Sequence, residues 1–128
     1  MNMNKGGEVK LIALSLSHMV NDWYMNFMQV MIPFFAAAGM RTGRSAFLVT
    51  AFTATSALMQ PVFGYLTDRT SRGWAACAGT LWMSLLLGCV GLEKSYTLMF
   101  ATVLLAGLGT AAFHPQASAM VAAVAGKR

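Results

Sequence analysis

Residues 46–72 read AFLVTAFTATSALMQPVFGYLTDRTSR. From Ala46 to Thr67 there is no Asp, Glu, Lys or Arg, and then Asp68, Arg69 and Arg72 arrive together. A bilayer core takes about 20 mostly apolar residues as one helix, so the stretch reads as a membrane span closed by a charged turn. The same rhythm repeats outward from it. Charges punctuate the chain, and the gaps between them give four spans at about 11–38, 46–66, 73–92 and 96–125. The connections GMRTGRS at 39–45, DRTSRG at 68–73 and GLEKSY at 91–96 carry turn chemistry. Four short spans cannot close a barrel, and backbone groups in lipid must be satisfied within their own segment, so the spans are helices. The expected fold is an all-α membrane protein, with residues 1–128 as a single transmembrane domain of four helices in antiparallel sequence.

Composition agrees. Of 128 residues, 57% are hydrophobic and 10% charged, with a mean hydropathy of +0.59. A soluble domain carries roughly 25% charged residues to solvate its surface. The formal charge of +5 comes from nine Lys and Arg set in ones and twos between apolar runs. That spacing excludes a nucleic-acid face and reads as topology. Lys5, Lys10, Arg69, Arg72, Lys127 and Arg128 fall on one side of the bilayer, with Arg41, Arg44 and Lys94 on the other. Both termini are therefore expected in the cytoplasm, with the chain multi-pass in the cell membrane. A cleaved signal peptide is excluded, because the first apolar stretch is about twice the usual length and contains His18, Asn21 and Asp22. Cys77 and Cys89, about 18 Å apart along a helix, are too distant for a disulfide.

Polar residues inside the spans are costly and so are informative. At about 100° per residue, Ser15, His18, Asp22, Asn26 and Gln29 share a sector of about 80° on the first helix. Either this stripe lines a substrate or proton pathway, or it bonds neighbouring helices together. Asp22 favours the pathway, since a mid-helix acid costs about 2.5–3.5 kcal/mol and an Asn would serve for packing. His18 stands one turn from it, near enough to share a proton. The fourth helix contains AGLGTAAFHPQASA at 106–119, where Gly107, Gly109, Ala111 and Ala112 allow close helix approach and Thr110, His114 and Ser118 form a second polar line. Counted from the helix ends, Asp22 and His114 lie at similar depth, about 16 Å and about 12 Å in, so they can meet inside the bundle. No further ligand converges on the two histidines, so neither a metal nor another cofactor is expected. Pro33, Pro61 and Pro115 mark local bends. Trp74, Tyr65 and Tyr96 fall near the interfaces as anchors.

The turn after the second span carries Gly64, Asp68, Arg69 and Arg72 at the positions of the Gly-x-x-x-Asp-Arg-x-Gly-Arg-Arg motif, with Ser71 and Gly73 departing from it. With SHMVNDWY, LMQPVFGYLTDR and GLGTAAFHPQASA, the chain resembles the N-terminal part of a major facilitator superfamily transporter of the fosmidomycin-resistance-like branch. The resemblance covers nearly all of the chain from about Ser15. It implies a twelve-helix fold of two halves built from inverted three-helix repeats, with substrate between the halves. It also implies a small-molecule substrate, protons as the coupling ion, and Gly64, Asp68, Arg69 and Arg72 as a conformational switch against the opposite half. The resemblance would place AGKR at the turn into a fifth helix, so a fragment or truncated frame is expected, needing C-terminal helices or another subunit to complete a pathway. Three readings stand: part of a proton-coupled exporter of a small drug or metabolite, a small four-helix multidrug exporter acting as a dimer, or a nontransporting truncated membrane remnant. None is an enzyme.

Overall fold

The computed structural model describes residues 5–70 and 74–125. Four helices follow in chain order: α1 Lys5–Ala37, α2 Thr42–Thr70, α3 Trp74–Val90 and α4 Tyr96–Ala125. Three of them depart from the apolar spans at their ends. α1 begins at Lys5 rather than near Leu11, with Glu8 in its first turn facing the positive end of the helix dipole. α2 begins at Thr42, taking in part of the connection expected at 39–45, and runs on to Thr70.

That second extension corrects the reading of the charged motif. Gly64, Asp68 and Arg69 are helical, in the last two turns of α2, and not in a connecting turn. The Arg69 guanidinium carbon lies 4.5 Å from the centre of the Tyr65 ring one turn back, and a cation suits the carboxyl end of a helix. Arg72, Lys127 and Arg128 lie outside the described residues.

The α1–α2 connection is closed by Gly39, whose φ of 85° is open to glycine and strained for other residues. Its N–H donates to the Ala36 carbonyl at 3.0 Å and the Met40 N–H to the Phe35 carbonyl at 2.9 Å, the paired bonds of a Schellman cap. The turn thus satisfies the orphan carbonyls of α1 and sends the chain back in four residues.

Among the described residues, two helices are long and apolar enough to cross a membrane on their own, Thr42–Arg69 and Tyr96–Val124. α3 has 17 residues, about 25 Å of helix, at the short end of what spans a bilayer. α1 is the longest at 33 residues, but its polar residues dilute its apolar character.

α4 is the centre of the bundle and packs along both α2 and α3, while α1 is held less extensively. α2 and α4 run in parallel register: Phe47 stacks on Phe100 at 5.5 Å, and the Arg44 guanidinium covers the Tyr96 ring at 5.1 Å. α3 runs antiparallel to α4, and Trp82 Nε1 donates to the Leu105 carbonyl at 2.8 Å. The main core, including Phe35, Leu48, Phe52, Leu87, Val90 and Met99, fills the end nearer the α1–α2 and α3–α4 connections. A smaller cluster of Ala76, Phe113 and Ala117 fills the other end. Hydroxyls of Thr50, Thr53 and Thr80 donate to carbonyls of their own helix, so these three donors are satisfied without water. Trp23, Leu58, Leu85 and Leu98 are exposed, one on each helix, a surface suited to lipid.

Candidate functional site

α1 turns one narrow edge to the bundle. Its buried residues are Asn21, Met28 and Phe35, seven apart, a spacing that returns to nearly the same face every two turns. His18 and Asp22 flank this edge and stay about half exposed, at 50% and 45% for their side chains. His18 Nδ1 lies 3.0 Å from Asp22 Oδ2, the i, i+4 contact that the spacing implied.

α4 meets them with two aromatic rings. The His18 ring centre is 5.4 Å from that of His114, edge to face, and 5.8 Å from that of Phe113. His114 is half-buried, and its Nε2 lies 3.3 Å from Met25 Sδ, so its ring sits between α1 side chains. Phe113 is buried and forms the apolar floor beneath both imidazoles. An imidazole that donates from Nδ1 to a carboxylate keeps Nε2 as an acceptor. Acid, base and second base thus follow one another across two helices, Asp22 on His18 and His18 on His114, an arrangement able to take up and hand on a proton.

Beside this cluster lies a bond that the polar stripe did not indicate. Asn21 Nδ2 donates to Thr110 Oγ1 at 3.0 Å, and both side chains are fully buried. The signal that finds Asn21 is its place in a seven-residue series with Met28 and Phe35, which puts it on the packed edge of α1.

The rest of the stripe is elsewhere. Asn26 Nδ2 donates to the backbone carbonyl of Asp22 at 2.8 Å, and Ser15 and Gln29 are exposed. Apart from His18, the stripe is turned away from the packed edge of α1: its centre lies about 120° around the helix from that edge. A shallow depression of about 440 Å³ runs along it between Met19, Asp22, Trp23, Asn26, Phe27 and Val30, with walls from α1 alone.

The motif residues are placed at the far end of α2. Gly64 lies against α4 at Pro115, where an added Cβ would sit 3.7 Å from the proline Cβ, and Asp68 and Arg69 are exposed. Cys77 and Cys89 are free thiols on the outer surface.

A family model described as Major Facilitator Superfamily matches residues 14–128, which takes in α1 from residue 14, the other three helices and both faces of the cluster. The chain belongs to the major facilitator superfamily. Superfamily transporters are multi-pass membrane proteins that handle small molecules in a lipid bilayer, and membership makes the four helices an N-terminal portion of an all-α membrane transporter fold rather than part of an enzyme. Relatives include the fosmidomycin resistance protein of Escherichia coli (strain K12), 29% identical over 117 residues, or 91% of this chain and 29% of the relative. An uncharacterized MFS-type transporter, YfnC of Bacillus subtilis (strain 168), is 32% identical over 122 residues, 92% of this chain and 29% of its own length. Protein spinster homolog 1 of Bos taurus is 32% identical over 82 residues, 62% of this chain and 16% of the relative. The chain spans less than a third of the length of these relatives. No solved structure matches it.

Proposed function

We propose that the chain supplies the first four helices of a proton-coupled exporter of a small drug or metabolite, with His18, Asp22 and His114 as its proton-handling groups and Asn26 and Gln29 lining the pathway. The observation that carries this reading is the meeting of the His18–Asp22 pair, 3.0 Å apart, with the His114 ring across the α1–α4 seam. An ionisable cluster within membrane helices is costly unless it is used, and this one stays open on the side away from the bundle core. A relative that is named a fosmidomycin resistance protein supports export as the direction.

In this reading both termini are cytoplasmic, on the basic side of the molecule. Gly64, Asp68, Arg69 and Arg72 act as a conformational element at that face, and Arg69, laid over Tyr65, is exposed on the last turn of α2 where an opposing half can reach it. Substrate is shared with helices of that second half.

The test is a chimera in which this chain replaces the matching portion of the Escherichia coli fosmidomycin resistance protein, assayed in everted vesicles for drug movement driven by a proton gradient. The unsubstituted chimera should transport. Asp22→Asn and His114→Ala should each abolish gradient-driven movement while leaving the protein in the membrane. Undiminished transport in both variants removes the proton role from these residues. Cation transport by a discrete dimer of the chain alone would replace the reading with that of a small four-helix exporter.

A further inference from the structure

The cluster depends on a register that its own members do not fix. His18, Asp22 and His114 are partly exposed, and a ring contact of 5.4 Å between two half-open imidazoles is no anchor. The other buried residues of α1, Met28 and Phe35, are apolar, and apolar contacts carry no directionality of their own. One buried amide in an otherwise apolar seam is the device that fixes register between packed helices.

We infer that Asn21 and Thr110 are positioning residues: their buried hydrogen bond sets the register at which α1 crosses α4 and so brings the His18 imidazole against His114. Both side chains are fully buried, and Asn21 Oδ1 has no partner, so Thr110 is the side-chain hydrogen-bond partner of this amide. Losing that partner to an apolar neighbour leaves a carboxamide unsatisfied in the seam, which penalises such a register.

The alternatives can be followed along the antiparallel pair. A slip of one turn that sets Asn21 opposite Ala106 leaves the amide facing a methyl group and carries His18 back toward Thr110. The opposite slip sets Asn21 beside His114 and carries His18 on toward Ser118. Either one breaks the ring contact. Only with Asn21 on Thr110 do His18, one turn toward the N-terminus of α1, and His114, one turn toward the C-terminus of α4, come level.

The functional meaning of this assignment rests on the proton-handling reading of the cluster, whereas the geometry can be tested without transport. The 128-residue chain, with isotopically labelled histidines, is reconstituted in phosphatidylcholine bilayers, and the His18–His114 cross-ring contact is measured by solid-state nuclear magnetic resonance alongside helix content. The unsubstituted chain should show the contact. Thr110→Val, close to the native shape but without a hydroxyl, and Asn21→Leu should lose it at unchanged helix content, and Thr110→Ser should keep it. A contact that persists in Thr110→Val overturns the inference, as does its loss in Thr110→Ser. Should Asn21→Leu fail to insert, the two Thr110 variants decide the matter from the other side of the bond. A chimera that does not transport leaves the ring contact to be read unchanged, so the two failures are told apart.

Discussion

Phe113 separates the imidazole cluster from the small core at its end of the bundle. One face of its surroundings is His18 and His114, at ring-centre distances of 5.8 and 5.7 Å, and the other is Ala76 and Ala117. With small alanines as neighbours, little can move in to fill the space if the ring is removed. Phe113→Ala should therefore destabilise the bundle by about 3 kcal/mol, the lower end for such truncations, because lipid in place of water reduces the transfer contribution and leaves the cavity contribution. Phe113→Leu should cost less than about 1.5 kcal/mol. Equilibrium unfolding in mixed micelles measures both, and equal losses would mean that the ring is not a wall. At this scale the sequence was partly legible. His18, Asp22 and His114 stand out because ionisable groups in an apolar run are conspicuous by their cost. Asn21 did not, because its meaning depends on which edge of α1 faces inward, and that is decided by Met28, Phe35 and a helix 89 residues further on.

The α3–α4 crossing shows what a helix can demand of a single position. A Cβ on Gly79 would overlap the carbonyl oxygen of Gly109 and crowd Ala112, and one on Gly109 would come within 2.9 Å of the Met83 backbone nitrogen. The backbones touch there, so neither helix can yield without parting from the other. Gly79→Ala should cost about 1–3 kcal/mol of stability by overpacking. Gly88→Ala on the same helix, where an added Cβ meets nothing within 4 Å, should instead be neutral or stabilise by up to about 1 kcal/mol through the better helix former. Denaturation curves of the two variants check the contrast, and a similar loss in both would show that α3 and α4 do not meet at Gly79. The sequence marked Gly107 and Gly109 as sites of close approach because small residues in a span have few other uses. The helix ends were harder to read. Hydropathy stops at the last apolar residue, whereas a helix stops where its hydrogen bonds do, and so α2 carries Asp68 and Arg69 on its final turn, with Arg69 laid back over Tyr65. The end of α1, by contrast, is set by Gly39, whose Schellman bonds have a residue-level cause.

Across the whole molecule the packing is uneven. The larger core lies toward one end, around Leu48, Phe52, Met99 and Val103, and α4 touches every other helix. The first three turns of α1 are mostly exposed. Hydrogen exchange in micelles should accordingly be slowest around residues 48–52 and 99–106 and fastest over residues 5–16. Uniform protection along α1 would contradict this gradient. The same dependence on α4 has a consequence for synthesis. Asn21 is made early and its partner Thr110 lies 89 residues downstream. At about 5–20 residues per second, roughly 4–18 s of translation separate the two. Through that interval the newly made α1 must wait with its amide met by water, the insertion machinery or another protein instead of by Thr110. The step that limits assembly is then the arrival of the fourth helix rather than the insertion of the first, and ribosomes halted before Thr110 emerges should hold α1 in a state more easily extracted by alkali than ribosomes halted after it.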